Sequence, residues 1–269
     1  MEKTATVPAD PGTPFSETLA SIGRAILPPL LGMVILIGII GVFALTAGTE
    51  NKQGKLLARG LQARYAAEGG VDVAVMRLSN ADPLLHWVPD DRIYKYVAGK
   101  TQIEIRIVDE SGKVDINAAG AEVINPLLIA VGVEPEQAQN ITSGIIDWRD
   151  PDNLLTEPGG AEDPQYASAE LPYGAKDAPF QTVSELQQVM GMTPELYTKL
   201  LPLITIYSGL ERPNPSFAPP EVLAALGLQA PQIAQLLAER NAWQPGMPVF
   251  TLPDGNPLAT SGTGTYSIS

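Results

Sequence analysis

The amino-acid sequence contains no cysteine and a single histidine, His86. These absences exclude a disulfide framework, a cysteine-ligated zinc site, thiol catalysis and any site built from several histidines. Basic residues are also scarce, because 17 lysines and arginines face 30 acidic residues, which gives a net charge of −13. This balance repels nucleic acid and anionic lipid headgroups, and it favours a cation or a basic partner.

Signatures of catalysis are missing too. The sequence has no G-x-S-x-G nucleophile elbow and no glycine-rich phosphate loop. Paired carboxylates that could act as an acid and a base occur only in one acidic loop, residues 147–163. We therefore expect a protein that is not an enzyme.

Residues 24–78 form the stretch around which the chain is organised, and we interpret them as one long stem helix. Residues 25–49 carry no charge, and some twenty apolar residues suffice to cross a hydrocarbon core of about 30 Å. Residues 50–80 continue as an amphipathic helix, with Leu57, Leu61 and Tyr65 at helical spacing among charged residues. Two interior glycines, Gly69 and Gly70, each cost about 1 kcal/mol relative to alanine, which indicates close backbone packing at one or the other.

The period of the pattern changes twice after the stem. Residues 93–108 alternate between apolar and polar residues, with Gly99 and Lys100 as a turn, which predicts two antiparallel strands. Three related segments with helical periodicity follow, at 117–147, 182–207 and 215–240. Each predicts a short helix, a glycine turn and a second helix, the arrangement of a helix-hairpin-helix unit. Residues 265–268 are predicted as a last strand.

Several motifs, taken together in order and spacing, resemble one known family. The chain is similar to general secretion pathway protein K, a minor pseudopilin of bacterial type II secretion systems. The matching stretches run through most of the sequence: Ala-Glu-Gly-Gly at 67–70, Asp-Glu-Ser-Gly-Lys at 109–113, Asn-Ala-Ala at 117–119, Asp-Trp-Arg-Asp-Pro-Asp at 147–152, Gly-Ala-Glu-Asp at 160–163 with Tyr166, Tyr173–Phe180, Val-Ser-Glu-Leu at 183–186 and Ala-Pro-Pro-Glu-Val-Leu at 218–223.

The resemblance implies an α+β fold in which a pilin-like N-terminal transmembrane helix packs on a small antiparallel sheet. A large α-helical domain, built here of helix-hairpin-helix (SAM-like) units, is inserted between the strands. The expected boundaries are a leader at 1–23, the stem at 24–80 (transmembrane part 25–49), sheet residues at 81–114, the inserted helical domain at 115–250, and a return to the sheet at 251–269.

The resemblance also implies a function. The expected protein is a single-pass protein of the bacterial inner membrane with a periplasmic globular domain. It would cap the tip of the pseudopilus, help to nucleate fibre assembly, and contact the I- and J-type minor pseudopilins. In ordinary pilins a glutamate near the start of the mature helix meets the preceding subunit, and residues 25–49 have no carboxylate, which agrees with a place at the end of the fibre. Prepilin peptidase would cleave after Gly23, with Gly32 as the alternative.

The acidic loop is the candidate metal site. Calcium takes six to eight oxygen ligands, mostly carboxylates and carbonyls of flexible loops. Composition alone leaves a solvated acidic loop and a metal site as equal alternatives, since the spacing is not that of an EF-hand. The resemblance favours calcium, and the expected ligands are carboxylates of this loop, namely Asp147, Asp150, Asp152, Glu162 and Asp163.

The helical hairpins also allow a second interpretation, a membrane-tethered DNA receptor used in DNA uptake. Phosphate binding needs lysine or arginine at the hairpin turns. The first turn has Glu134 after Gly132, and the second and third turns lack a second glycine for close phosphate approach. We therefore expect no nucleic acid partner, and the hairpins are predicted to be packing units.

Overall fold

The computed structural model describes residues 15–99 and 101–269, so most of the predicted leader, residues 1–14, lies outside the described residues. The helices and strands follow in this order: α1 (Phe15–Leu78), β1 (Asp90–Ala98), β2 (Thr101–Asp109), β3 (Val114–Asp115), α2 (Ala121–Ala130), α3 (Pro135–Arg149), α4 (Asp163–Ser168), α5 (Pro194–Leu200), β4 (Ile204–Thr205), α6 (Pro220–Ala225), α7 (Ala230–Ala242) and β5 (Tyr266–Ile268). The chain divides into two compact units after Tyr65.

Helix α1 begins at Phe15, ahead of the predicted start at Arg24. The reason lies in the sequence between them, which has neither proline nor glycine before Gly23 and therefore does not interrupt a helix. Residues 23–46 form a 24-residue stretch with a mean hydropathy of 2.6, and it is not buried within the chain. By length and composition this stretch is able to cross a membrane, close to the predicted span of 25–49.

The sheet is three-stranded and antiparallel, in the order β1-β2-β5. Tyr94 pairs with Ile105 and Tyr96 with Ile103, so the hairpin predicted from the alternating pattern is confirmed. Strand β5 adds to the other edge of β2 through the pairing of Ile107 with Ile268. The last strand predicted from the sequence is confirmed as well, and residues 79–89 before β1 form a loop.

The last turns of α1 pack on this sheet. Ala74, Ile105 and Ile107 are buried together in one small apolar cluster. A Cβ atom at Gly70 would lie 3.2 Å from Ile103 Cγ2, whereas a Cβ atom at Gly69 would meet nothing within 4 Å. The close packing predicted at one of the two glycines is therefore confirmed at Gly70, where a Cβ atom would press tightly on the Ile103 side chain.

The helical region between β2 and β5 forms the larger core. Helix α2 packs against both α3 and α6. Each of the three helices contributes fully buried residues to the core, among them Leu127, Ile141 and Leu223. Its core includes a short parallel pair, β3 with β4, which the sequence pattern did not predict. Because both ends of this region return to the same antiparallel sheet, it is an insertion between strands, and the fold is the predicted α+β, pilin-like one.

Three glycines with positive φ join the predicted helix pairs. Gly132 (φ 93°), Gly191 (φ 83°) and Gly227 (φ 93°) adopt similar left-handed backbone conformations between successive helical segments. The first segment of the second pair is a 3-10 helix, Val183–Gln188, rather than an α-helix. Glycine is favoured at such a turn because other residues are strained at positive φ.

Candidate metal centre

The acidic loop follows α3 and is supported by an aromatic cluster. The indole of Trp148 stacks on Phe180 with ring centroids 6.2 Å apart and lies 6.0 Å from Tyr166. Trp148 and Tyr166 are fully buried. This rigid base fixes the direction in which the neighbouring acidic residues leave α3 and enter α4.

Asp147 lies at the end of α3 and is fully buried. Its Oδ1 accepts the Thr156 N–H at 3.0 Å and its Oδ2 accepts the Ala161 N–H at 2.8 Å. A side chain at Gly160 would collide with this carboxylate. Asp147 therefore closes the loop on itself, and both of its oxygens are occupied by backbone donors.

Glu162 is the least satisfied acid of the loop. Its side chain is only 3% exposed, and neither carboxylate oxygen has a hydrogen-bond partner among the described residues. The hydrogen bonds at the start of α4 do not involve this carboxylate. Gln165 Oε1 accepts the Glu162 N–H at 3.1 Å, and the Gln165 backbone N–H donates to the Glu162 carbonyl oxygen. Two buried anionic oxygens without donors are costly unless a cation or a proton is present.

Two further acids have one buried oxygen each without a partner in the described part of the chain, Asp150 and Asp177. Asp150 follows α3 directly, whereas Asp177 belongs to the segment that runs from Tyr173 to Phe180. Asp177 also has a positive φ of 53°, which is uncommon for a residue other than glycine. Asp177 was not among the ligands predicted from the sequence, where its one signal is its position within the Tyr173–Phe180 segment that carries the family resemblance.

The pKa values show that these acids act on one another. Burial, and next the charge of Asp147 followed by those of Asp177, Asp150 and Asp152, raise the pKa of Glu162 to about 7. Burial and the neighbouring charge of Asp152 also raise the pKa of Asp150. Like charges that share a site raise pKa values in this way when no cation compensates them.

The nearby basic side chains do not neutralise the group. Arg149 donates to the carbonyl oxygens of Ile116 and Ala119. Lys176 pairs with Glu185 at 2.5 Å and donates to the Pro179 carbonyl oxygen. The acidic loop therefore carries an excess of negative charge that a cation can balance.

The other predicted ligands are placed differently. Asp152 is exposed, and its Oδ1 accepts the Leu154 N–H at 2.8 Å in a local turn. Asp163 is exposed at the start of α4. Within residues 15–99 and 101–269, no three acidic or histidine side chains already stand in an arrangement that could hold a metal ion. Of the five predicted ligands, Glu162 and Asp150 have buried oxygens without a partner among the described residues. Asp177, which was not predicted, has one as well.

The two candidate processing glycines, Gly23 and Gly32, both lie inside α1. A Cβ atom at either position would meet nothing within 4 Å. Neither glycine is therefore required for packing within the described chain, and cleavage at either one stays a prediction.

Known proteins with similar sequences share one description. Residues 103–209 match the family model for Type II secretion system (T2SS), protein K. The Type II secretion system protein K of Pectobacterium carotovorum subsp. carotovorum is 38% identical over 84 residues, which cover 31% of this chain and 25% of that protein. The protein K of Klebsiella pneumoniae is 27% identical over 205 residues, which cover 68% of this chain and 61% of that protein. The alignments thus span less than two thirds of these relatives.

A solved structure shows the same fold. A chain in the crystal structure of the GspK-GspI-GspJ complex from the enterotoxigenic Escherichia coli Type 2 Secretion System matches with a TM-score of 0.50. The two are 18% identical, and the match covers 69% of this chain and 72% of that one. The resemblance to protein K seen in the sequence motifs is confirmed by the match of residues 103–209 to the type II secretion system protein K model.

Proposed function

We propose that this chain is a minor pseudopilin of a type II protein secretion system, with a structural rather than an enzymatic role. The observation that carries the proposal is the protein K domain at residues 103–209, which includes β2 of the sheet on which the end of α1 packs. The same α1 contains a stretch able to cross a membrane. Family, fold and anchor together match a subunit that is held in a membrane before it enters a fibre.

The membrane in question is the bacterial inner membrane, with the unit from Ala66 onward in the periplasm. Residues 25–49 carry no charge and are followed by an amphipathic stretch, as expected for a helix that leaves the bilayer and continues in water. Prepilin peptidase would remove the leader after Gly23, or alternatively after Gly32. Mass spectrometry of the chain purified from a peptidase-positive and a peptidase-negative host measures this cleavage directly.

The proposed partners are an I-type and a J-type minor pseudopilin, with a position at the tip of the pseudopilus. The solved relative comes from a complex of GspK with GspI and GspJ. Within α1, Leu57 and Leu61 are exposed apolar residues one helical turn apart and form a face that a second helix could cover. The absence of a carboxylate in residues 25–49 and the large helical insertion both favour the end of a fibre, where the protein could nucleate assembly.

Calcium is the proposed cofactor, since its hard-oxygen preference matches the donors present. Glu162 would hold it together with Asp150 and Asp177, each of which has one buried oxygen without a partner in the part of the chain that the structure describes. Asp147 would keep the loop closed beneath the site rather than supply a free oxygen. The ion would stabilise the folded form, because the separated segments that carry these acids come together only there.

Co-purification tests the proposed function. The tagged full chain is co-expressed with the I- and J-type subunits of a type II secretion system, extracted in a neutral detergent, and captured. We expect both subunits to be recovered, and we expect the double substitution L57E and L61E to abolish their recovery. Gln62→Glu, an exposed position on the same helix, is the matched control and should leave it unchanged.

Failure to recover either subunit with the unsubstituted chain would contradict the proposal. Salt-sensitive binding of duplex DNA by the same preparation would instead support the alternative, a membrane-tethered DNA receptor.

A further inference from the structure

A cleft of about 770 Å³ opens between the sheet and the helical insertion, away from the acidic loop. Its walls come from β2, from the turn after α2, from the end of α5 and from α6 and α7. Three prolines, Pro202, Pro219 and Pro220, and the buried Leu203 and Phe217 give it a rigid apolar surface. A volume of this size is within the range of about 300–1,000 Å³ that is usual for ligand sites.

The walls of the cleft carry more basic than acidic side chains, whereas the whole protein carries more acidic than basic ones. The chain has a net charge of −13, yet basic side chains outnumber acidic ones in the cleft. The basic residues are Arg106, Lys113, Lys199 and Arg240, and the acidic ones are Asp91 and Glu221.

Arg240 is the most telling of these residues because it is buried, only 8% exposed. Its Nη1 donates to the carbonyl oxygens of Ala218 at 2.9 Å and Ser216 at 3.4 Å, while its Nε has no partner within residues 15–99 and 101–269. No carboxylate in the described part of the chain forms an ion pair with it. A buried guanidinium that has only neutral acceptors is a strong donor to an incoming carboxylate.

Two other cations of the cleft are accessible at its rim. Lys199 is exposed, and its Nζ lies 3.3 Å from the Val131 carbonyl oxygen. Arg106 pairs only loosely with Asp91, at 3.5 Å, and both side chains are about half exposed. Lys113, in contrast, is tightly paired with Glu110 at 2.6 Å. Lys199 and Arg106 are therefore free to move toward an anion that enters the cleft.

We propose that this cleft binds an acidic peptide segment of a partner protein, with its carboxylates at Arg240 and Lys199 and its smaller side chains against Leu203 and Phe217. The size and the mixed lining favour a peptide over a nucleic acid. Duplex DNA carries one charge per roughly 1.7 Å along its axis, and a polyanion of that kind would meet the acidic surface around the cleft. A peptide with a few carboxylates needs only the local positive charge. This site goes beyond the proposed pseudopilin role and does not depend on it.

Fluorescence anisotropy of the full chain in a neutral detergent tests the proposal. The probe is a dye-labelled, end-blocked decapeptide of alternating glutamate and alanine, and its control has glutamine in place of glutamate. We expect the glutamate peptide to bind at least roughly tenfold more tightly, with an affinity that falls as salt is added. Lys199→Glu should weaken this binding about tenfold. Lys95→Glu, on an exposed lysine of β1 that does not line the cleft, should change it less than about twofold.

Equal binding of the two peptides, or no binding of either, would overturn the proposal. Equal effects of Lys199→Glu and Lys95→Glu would also overturn it, because the attraction would then come from the general surface and not from the cleft. Displacement of the peptide by a thymidine decanucleotide at a lower concentration than unlabelled peptide would identify the cleft as a phosphate site instead. Lys199 is exposed, so loss of folding does not complicate these outcomes.

Discussion

Substitution of Glu162 by glutamine is expected to change the stability of the protein in opposite directions with and without calcium. The side chain is 3% exposed and neither of its oxygens has a partner among the described residues. Burial together with the charges of Asp147 and Asp177 raises its pKa from 4.5 to about 7. The folded state therefore holds a proton, or a metal ion, more tightly at this position than the unfolded state does.

The magnitude without metal follows from linkage. Because the pKa of Glu162 is higher in the folded state, its ionisation lowers the free energy of unfolding as the pH rises from about 4.5, and the loss is complete above about 7. One pKa unit corresponds to about 1.4 kcal/mol, and partial screening by solvent reduces the total to about 1–2 kcal/mol. Glutamine stays neutral, so in a chelator at pH 8 we expect E162Q to be more stable than the unsubstituted chain by about this amount.

With calcium bound, the unsubstituted chain is expected to be more stable than E162Q. A ligand at one hundred times its Kd stabilises the folded state by about 2.7 kcal/mol, which corresponds to a rise in Tm of about 5–10 °C for a domain of this size. We expect the unsubstituted chain to show this rise and E162Q to lose most of it. Magnesium should have a smaller effect, because it prefers a near-ideal octahedral site and gives up its water reluctantly.

Thermal unfolding of the full chain in a neutral detergent, followed by tryptophan fluorescence, measures these changes at pH 8 in calcium, in magnesium and in chelator. Glu136→Gln is the matched control, since Glu136 is an exposed glutamate at the start of α3. The reasoning is refuted if E162Q keeps the full calcium response, or if it is less stable than the unsubstituted chain in chelator.

Three other substitutions test separate parts of the structure. Gly70→Leu should lower the free energy of unfolding by about 1–3 kcal/mol, because the new leucine side chain would collide with Ile103. Gly69→Leu should not lower it, because position 69 faces open space. Urea unfolding measures both. Asp147→Asn should lower the free energy of unfolding by about 1–3 kcal/mol in calcium, because it loses an acceptor for a backbone N–H. In chelator at pH 8 the loss should be smaller, because the charge of Asp147 no longer repels Glu162. Thermal unfolding in both conditions measures this, and unchanged stability in calcium would contradict it. Burial opposes the shift, but hydrogen bonds from Lys113 and from two hydroxyl groups lower the pKa of Glu110 from 4.5. Its stabilising effect is therefore present at pH 7 and is lost as the pH falls below 4.5 and through the lowered pKa. Glu110→Gln should destabilise the chain at pH 7 and do so progressively less as the pH is lowered through this range, which urea unfolding at several pH values measures.

Local patterns in the sequence predicted those parts of the fold that depend on neighbouring residues. The alternation of Ile103, Ile105 and Ile107 predicts a strand with one buried face, and the structure buries Ile105 and Ile107 against α1. The glycine turns were predictable for the same reason, since Gly132 and Gly227 adopt the positive φ that favours glycine.

Features that depend on distant residues could not be predicted in this way. Strands β3 and β4 are two residues long each and far apart in sequence, so no periodic pattern marks them. Asp177 reaches the acidic group from a separate segment, and a single aspartate beside Lys176 has no distinctive spacing. The start of α1 at Phe15 is not marked by apolar periodicity, because the residues before Gly23 are mixed in polarity and the helix there follows from helix formers such as Glu17.

The sequence alone does not distinguish an acid that holds the fold together from one that binds a metal, because acids of both kinds are buried in this protein. Asp109 is fully buried, and its two oxygens accept from the Ser111 N–H and from the N–H and hydroxyl of Thr263. Asp115 is equally buried and accepts the Asn117 and Gly209 N–H groups. These donors come from turns of the backbone, which the sequence does not reveal.

Each of these aspartates joins segments that are far apart in the chain, and Asp147 closes its loop in the same manner, so their charges are compensated within the protein. Glu162 differs because no turn among the described residues supplies its carboxylate with a donor. Among the buried acids that the structure describes, Glu162 is the one whose two oxygens both lack a donor, so a cation can bind there without breaking a hydrogen bond. That difference in hydrogen bonding, rather than burial or clustering of acidic residues, is what separates the proposed calcium ligand from the acids that hold the insertion in place.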